Sequence, residues 1–290
     1  MGFFINWFKH YSLQKKRKAY LESLNKIAVS PNKQLQSSEF VSFSHIGLIG
    51  DIIYSIPAML ALAKEKKIHL YLDINQDTLY SKEMKHYNSD KILTSKSVKF
   101  IAPLILNNPQ FEVCKAWENE HIDYDLNEFR KYPFDYRMGH ICRWYFLAFG
   151  VNYNLNNPWL LVKANLNYKN DIIIARSFRY RALGINYHFL SRYDNVKFVG
   201  LKEEFNDMKK VIPNIEHLEV KNALQLAEII AGCKFFIGNQ SFPFAVAEAL
   251  KVKRVLEVCY ECPNVIVDGD NGYDFCFQLQ FEKIIKELQN

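Results

Sequence analysis

Short apolar runs alternate with amphipathic stretches in the first half of the chain, and this alternation predicts strands separated by helices. Residues 40–46 and 68–72 have the composition of strands, and 98–101 is predicted as a third. Between the first two, 51–64 carries apolar residues at helical spacing. Pro57 lies inside this helix, where a proline is expected to kink it or to begin a second one.

The second half repeats the pattern. Its predicted strands are 171–175, 196–200, 233–237 and 254–258. Its predicted helices are 222–231, a helix after Pro243 and 281–288. Strands that alternate with helices in both halves predict an α/β fold made of two Rossmann-like domains with parallel sheets. The asparagine-rich stretch 152–158 is the expected linker. The predicted division is an N-terminal helix over 1–30, domains over 31–160 and 161–275, and a C-terminal helix over 276–290.

Length and composition agree with two domains that each bury a core. The chain has 290 residues, 49% of them hydrophobic, which is long for one small domain and comfortable for two. The net charge of +6 suits an anionic ligand, an anionic membrane surface or a nucleic acid, and does not choose among them.

The N-terminal segment combines aromatic residues with a basic cluster. Phe4, Trp7 and Phe8 share one face of a helix, and the run 15–18 is entirely basic. Such a helix can lie in the interface of an anionic membrane, or it can pack on the protein with its basic run in water. Because no apolar run reaches the roughly 18 residues that span a bilayer, we expect a cytoplasmic protein, with peripheral contact to the inner face of the membrane left open.

The cysteines indicate neither a disulfide framework nor a metal centre. All six are spread along the chain, and the C-x-x-C pair of Cys259 and Cys262 is followed by no second pair. We expect reduced, partly buried thiols, no bound metal and no cofactor.

Two glycine-marked turns from strand to helix are the strongest functional signal. One runs from His45 through Gly47 and Gly50 to Asp51, and the other follows the strand that ends near Gly238. Such a turn presents free backbone N–H groups and the positive end of a helix. Ligands of open α/β sheets bind at this edge, so two facing edges predict a cleft for a phosphorylated donor and a second substrate.

With these motifs, the chain resembles the ADP-heptose:lipopolysaccharide heptosyltransferases. The segment 45–53 is similar to the first loop of that family, and 224–250 is similar to its donor-side motif. The matching order extends over 40–64 and 171–258. The resemblance implies the GT-B fold: two Rossmann-like domains that face each other across a cleft, with a C-terminal helix that crosses back. It also implies a glycosyltransferase of the family 9 type that inverts the anomeric carbon and needs no metal.

The resemblance and the residue chemistry together assign a base and a donor site. Asp51 matches the general base of the family, and a carboxylate in a cleft can deprotonate an acceptor hydroxyl. Arginines and helix N-termini neutralise a departing diphosphate without a metal. The expected donor site comprises Arg176, Arg179, Arg181, Gly200, Gly238, Asn239, Gln240, Ser241, Phe242 and Glu248. Plainer roles stay open: helix caps for Asp51 and Ser241, a solvated loop for the arginines and an exposed helix charge for Glu248.

A smaller set of residues is predicted to contact the acceptor. It combines the first loop with basic residues at or near a helix predicted over 140–149: His45, Gly47, Gly50, Arg137, His140 and Arg143. The expected partners are a nucleotide-sugar donor, which is a co-substrate, and a glycan or glycolipid acceptor such as a precursor of lipopolysaccharide core.

The donor loop departs from the family pattern and keeps other functions open. The family has Asp-Ser/Thr-Gly followed by a histidine where this chain has 239–244, and its lysine-bearing segment is replaced by 176–181. A DNA or protein glycosyltransferase of the same fold is one alternative, and the basic surface leaves nucleic acid open as a partner. The other is a catalytically inactive binding protein derived from the GT-B fold.

Overall fold

Two parallel β-sheets with flanking helices form the part of the protein that the computed structural model describes, namely residues 2–27, 35–74, 76–77, 91–132 and 135–289. Within each sheet the paired strands run in the same direction. The predicted α/β architecture with two parallel sheets is therefore confirmed.

The first sheet contains β1 (Phe40–His45), β2 (Lys67–Leu72), β3 (Phe111–Ala116) and β4 (Tyr124–Asp125). Their order in the sheet is β3-β2-β1-β4. The winding thus reverses between β1 and β4, and in open α/β sheets the crevice at such a reversal is where ligands bind.

The helices of the first half are α1 (Gly2–Ile27), α2 (Ile49–Ala63), α3 (Ser95–Leu106) and α4 (Ile141–Phe149). The prediction of a strand at 98–101 is wrong, since these residues lie in α3. Thr94 and Ser97 form a capping box that begins this helix, and its buried residues recur at helical spacing. The third strand is instead β3, which the sequence pattern did not indicate.

The N-terminal helix predicted over 1–30 is observed as α1. Residues 28–30 lie outside the described residues. The side chains of Phe4, Trp7 and Phe8 also lie outside the description, so the predicted aromatic face of this helix stays a prediction. Of the helices in the described part of the chain, none is both long and apolar enough to cross a membrane.

Helix α2 continues through Pro57 and does not end there. A proline has no N–H to donate to the carbonyl of Ile53, one helical turn earlier. The indole N–H of Trp159 donates to that carbonyl oxygen at 3.0 Å. A residue just after the predicted linker therefore supplies the hydrogen bond that proline removes from the helix.

The second sheet contains β5 (Ile172–Ala175), β6 (Val196–Phe198), β7 (Glu216–His217), β8 (Phe235–Asn239), β9 (Arg254–Glu257) and β10 (Gly272–Phe275). Its helices are α5 (Lys202–Val211), α6 (Ala223–Gly232), α7 (Phe242–Leu250) and α8 (Gln278–Gln289). The strand order β10-β9-β8-β5-β6-β7 places the reversal of winding between β5 and β8. The carboxyl ends of these two strands hold the predicted donor residues.

Facing helices join the two halves. Helix α2 packs against α7 and α3 packs against α6, and one cluster of buried apolar side chains extends through both halves. Helix α8 packs on the second sheet, where Phe281, Ile285 and Leu288 are buried among residues of the second half. The predicted crossing of this helix back to the first half is not seen in that packing. The predicted domain limits stay a prediction.

Candidate functional site

The two glycine turns are in contact with each other. A Cβ atom added to Gly50 would lie 3.7 Å from the Cα of Phe242, and the ring of Phe242 lies edge-on to Phe100, with 5.9 Å between centroids. Because α2 begins at Ile49 and α7 begins at Phe242, the N-termini of both helices converge here. Helix N-termini carry partial positive charge and unpaired N–H donors, so this junction favours an anion.

Asp51 lies at this junction, in the first turn of α2. The residue that caps the helix is Leu48, and the carboxylate of Asp51 accepts a hydrogen bond from Nη2 of Arg130 at 3.1 Å. Burial raises the pKa of Asp51 above 3.8, although the charges of Arg130 and Arg179 act against this shift. A carboxylate of increased basicity is suited to accept a proton.

Arg130 belongs to this site, although no sequence pattern pointed to it. It lies in the short 3₁₀ helix Leu126–Lys131 that follows β4, with its guanidinium 4.7 Å and 5.1 Å from the ring centroids of Phe129 and Tyr136. Because β4 pairs with β1, the residues after both strands meet at the reversal of winding. A strand of two residues has no recognisable periodicity, so this proximity to Asp51 could not be read from the sequence.

His45 and Gly47 shape the loop that leads to Asp51. The buried His45 accepts the Gly47 N–H on Nδ1 at 2.8 Å, which leaves Nε2–H to donate to the hydroxyl of Tyr145 at 2.9 Å. A Cβ atom at Gly47 would lie 2.6 Å from His45 Cε1 and 3.0 Å from Asp51 Oδ2, so only glycine fits between them. Burial, and secondarily the charge of Arg130, lowers the pKa of His45 to about 3, so the ring is neutral.

Arg176 is held within the second half. Its guanidinium donates to both carboxylate oxygens of the fully buried Glu257, at 2.6 Å and 2.7 Å, and the Tyr187 hydroxyl donates to Glu257 at 2.8 Å. Such a paired, largely buried guanidinium stabilises the loop of residues 176–181, here called the arginine loop. The predicted role of Arg176 in donor binding stays a prediction.

The other two predicted donor arginines differ in their surroundings. Arg181 donates to Asp207 and to the carbonyl of Ser177, both at 2.8 Å, which fixes the loop on α5. The charge of Arg179 acts across the junction on the pKa of Asp51. Of the three arginines, Arg179 is therefore the one whose charge acts on Asp51, and its predicted role in donor binding stays a prediction.

Asn239 secures the arginine loop to the end of β8. Its side chain is fully buried, accepts the Ser177 N–H at 3.0 Å, and donates to the carbonyls of Ser177 at 3.1 Å and Arg179 at 2.6 Å. Ser241 is the residue before α7, and its hydroxyl donates to the Asn239 carbonyl at 3.1 Å and not to the helix. Both predicted donor residues therefore maintain the shape of the loop.

Gln240 and Gly238 have comparable structural roles. The Gln240 side chain donates to the carbonyl of Cys262 at 2.7 Å and accepts the Cys259 N–H at 2.8 Å, so it orders the loop that contains the C-x-x-C pair. A Cβ atom at Gly238 would lie 3.0 Å from the carbonyl oxygen of Ala175, so glycine permits the close pairing of β8 with β5.

Glu248 is neither an exposed helix charge nor open to the cleft. It is fully buried and forms ion pairs with Arg254, which is also fully buried, and with Lys251. Buried carboxylates are retained only with such compensation. The predicted contact of Glu248 with a donor ribose stays a prediction.

Gly200 forms a sharp turn after β6, and its predicted contact with the donor stays a prediction. Its φ of +147° is rarely adopted by other residues, and the Glu204 carboxylate then accepts the Leu201 N–H at 3.2 Å. Burial raises the pKa of Glu204, whereas the charges of Arg181 and Arg179 lower it. Glu204 is thus a second acidic group beside the arginine loop that the sequence did not indicate.

The three predicted acceptor residues near α4 do not converge on the cleft. Arg137 pairs with Asp135 at 2.9 Å. His140 is the residue before α4 and, like Arg143, contacts Asp268 of the second half, at 3.3 Å and 2.6 Å respectively. His140 and Arg143 therefore link the two halves, and their contact with an acceptor stays a prediction.

His140, Glu248 and Asp268 also form a possible metal-ligand group, with one ligand atom of each within 4.8 Å of the others. Protein groups already engage all three residues. His140 accepts the Cys142 N–H on Nδ1 at 3.3 Å, so the neutral ring carries its proton on Nε2, the atom that faces Asp268. The carboxylates are already compensated by Arg143, Lys251 and Arg254.

Comparison with known proteins finds similar folds but no similar sequence. No family model matches the chain, and no curated protein sequence matches it. The structure of TibC, an iron-containing dodecameric glycosyltransferase from enterotoxigenic E. coli, is 15% identical and covers 82% of this chain, with a TM-score of 0.52. The chain spans 63% of the length of TibC.

Two further solved structures have similar coverage. A family 9 glycosyltransferase from Veillonella parvula is 13% identical, covers 88% of this chain and 93% of its own, and has a TM-score of 0.49. The E. coli heptosyltransferase WaaC with ADP-2-deoxy-2-fluoro heptose is 10% identical, covers 86% and 99%, and has a TM-score of 0.48. At this identity the comparison with TibC establishes a common fold, as the sequence resemblance implied. The activity has to be argued from the residues of the site.

Proposed function

We propose that the protein is an inverting, metal-independent glycosyltransferase that moves a sugar from a nucleotide-diphosphate donor to a cell-surface glycan precursor of the lipopolysaccharide-core type. The observation that carries this proposal is the position of Asp51. It lies where the N-termini of α2 and α7 converge, bonded to Arg130 and under the charge of Arg179. One site thus combines a basic carboxylate with groups that bind an anion.

The reaction uses Asp51 as the general base. Its carboxylate accepts the proton of an acceptor hydroxyl as that hydroxyl attacks the anomeric carbon from the side opposite the departing diphosphate, which inverts the configuration. Because burial raises the pKa of Asp51, its carboxylate is a stronger base than an exposed aspartate.

The departing diphosphate is neutralised by protein groups alone. Arg179 and the backbone N–H groups at the start of α7 are assigned to this role, with Arg130 on the side of the first half. Donor and acceptor meet on the cytoplasmic side, and a glycolipid acceptor would present its sugar at the inner face of the membrane.

One observation favours the alternative of a binding protein without catalysis. Phe242 stands at the start of α7, directly against Gly50 and edge-on to Phe100. A large side chain here restricts the space at the junction, and a donor phosphate could approach the helix only if the ring moved.

Asp51→Asn separates these functions. We expect one nucleotide-diphosphate sugar to raise the melting temperature of the wild type, because a ligand that binds only the folded state stabilises it. Asp51→Asn should keep this shift and lose transfer by about 100-fold or more, as expected for a missing general base. Arg179→Gln should lose the shift itself.

The control is Asp194→Asn, at an exposed aspartate of the second half. A wild type that no nucleotide or nucleotide sugar stabilises would contradict the transferase and favour the binding protein. Full transfer by Asp51→Asn would show that another group is the base.

A further inference from the structure

Nearly all of the net charge of the protein lies in one helix. The 26 residues of α1 contain six lysines and arginines and one glutamate, a net charge of +5 in a chain whose total is +6. Ordinary surface lysines would be spread over the whole molecule. A concentration of this kind requires an explanation that applies to α1 itself.

The basic part of α1 does not pack on the rest of the protein. Every residue from His10 to Lys18 is exposed, and the helix approaches α4 further along, where Tyr20 is partly buried and Ser23 is buried. Its one acidic residue, Glu22, lies 4.0 Å from Lys18 and compensates a single charge.

Apolar side chains are exposed beside the basic ones. Tyr11 is 61% exposed, and Leu13 and Leu21 are also open to solvent. Tyr11, Lys15 and Lys18 are spaced by four and three residues and share a face. Tyr20 lies nine residues after Tyr11, about 180° around the helix, so this face points away from the side that approaches α4.

We propose that α1 docks the protein on the surface of an anionic lipid bilayer. Lysines and arginines near such a surface are attracted by its anionic headgroups, and the exposed tyrosine on this face can enter the interface between headgroups and acyl chains. A nucleic acid would also attract the basic residues. Its phosphate backbone, however, has no apolar layer that the exposed apolar side chains could enter. Two copies of α1 would repel each other through their like charges. The inference deepens the proposed function, because a membrane site would bring a glycolipid acceptor to the cleft.

The test uses the full chain and lipid vesicles, without donor or acceptor. We expect flotation with vesicles of phosphatidylcholine and phosphatidylglycerol, little flotation with phosphatidylcholine alone, and release as salt is raised. Replacing Lys15, Lys16, Arg17 and Lys18 by glutamine should weaken binding at least about tenfold. Tyr11→Ser should weaken it further at high salt, where the apolar contribution remains.

The matched control removes four charges elsewhere, at the exposed residues Lys169, Lys221, Lys283 and Lys286. Equal binding to both vesicle types, or equal loss in the control, would overturn the proposal, as would tighter salt-sensitive binding to duplex DNA than to anionic vesicles. The thermal shift with a nucleotide sugar is measured on the same variants. It should not change, so a failure here is distinguishable from a failure of the proposed transferase.

Discussion

His45 and Asp51 lie on either side of Gly47, and burial moves the pKa of each in the direction that disfavours its charged form. The neutral imidazole fixes the backbone of the loop through Gly47, and the glycine lets both side chains approach. Arg130 restores part of the stability of the Asp51 carboxylate. The loop therefore holds one partly compensated negative charge at the junction of the helices.

His45→Gln should make the stability of the protein less dependent on pH. The pKa of His45 is about 3 in the folded protein and 6.5 in the unfolded chain. Below pH 6.5 the unfolded state therefore binds more protons than the folded state. The wild type should therefore lose up to about 1.4 kcal/mol per pH unit from this residue as the pH falls toward 3. Urea unfolding at pH 7 and pH 5 measures the difference. His188→Gln, at an exposed histidine, is the control, and a pH dependence in His45→Gln equal to that of the wild type would contradict the assignment.

The turn between β8 and α7 organises the elements around it. Asn239 holds the arginine loop, and Gln240 holds the loop after β9. Both side chains form hydrogen bonds with backbone N–H and carbonyl groups of these loops that have no partner in a strand or helix. The sequence departs from the family pattern here, and the residues present serve to fix the surrounding loops.

Asn239→Ala should release the arginine loop. The change leaves the Ser177 N–H and the Arg179 carbonyl without their partner, which costs about 3 kcal/mol of unfolding free energy if the groups stay buried. Hydrogen exchange at the Ser177 amide should become faster. Ser241→Ala, which removes one bond to the Asn239 carbonyl, should leave that protection unchanged. Unaltered exchange in Asn239→Ala would show that the loop is held by other contacts.

The two halves are joined by more than a hinge. A continuous apolar cluster runs through the facing helices, and the Ile141 N–H donates to the carbonyl of Asn264 at 2.9 Å. Arg143 of the first half donates to Asp268 of the second at 2.6 Å, and His140 lies 3.3 Å from the same carboxylate. Separation of the halves would break these bonds together, so the arrangement resists opening on this side.

Asp268→Asn should weaken this connection in a pH-dependent way. Burial opposes ionisation of Asp268, but the bonds from His140 and Arg143 prevail and lower its pKa from 3.8 to about 2. A lowered carboxyl pKa stabilises the folded state above pH 3.8, and this stability is lost as the pH falls toward 2. At pH 7 we expect a loss of about 2 kcal/mol in urea unfolding. Asp270→Asn, at an exposed neighbour, is the control. An effect of Asp268→Asn that stays constant down to pH 3 would contradict this account.

The sequence by itself determined the elements whose periodicity is local and strong. The strands at 40–46 and 171–175, the glycine turns and the position of Asp51 at the start of a helix all follow from residues a few positions apart. Where the local signal was short, as at 98–101, a capping box outweighed the strand composition.

Only the tertiary structure decided which polar groups reach the site. Arg130 meets Asp51 from 79 residues away, and Arg176 is taken up by Glu257 from 81 residues away. Hydrophobic periodicity indicates which face of a helix or strand is buried. It carries no information on which charged partner, folded in from a distant strand, will compensate a buried charge, and that partner decides the chemistry.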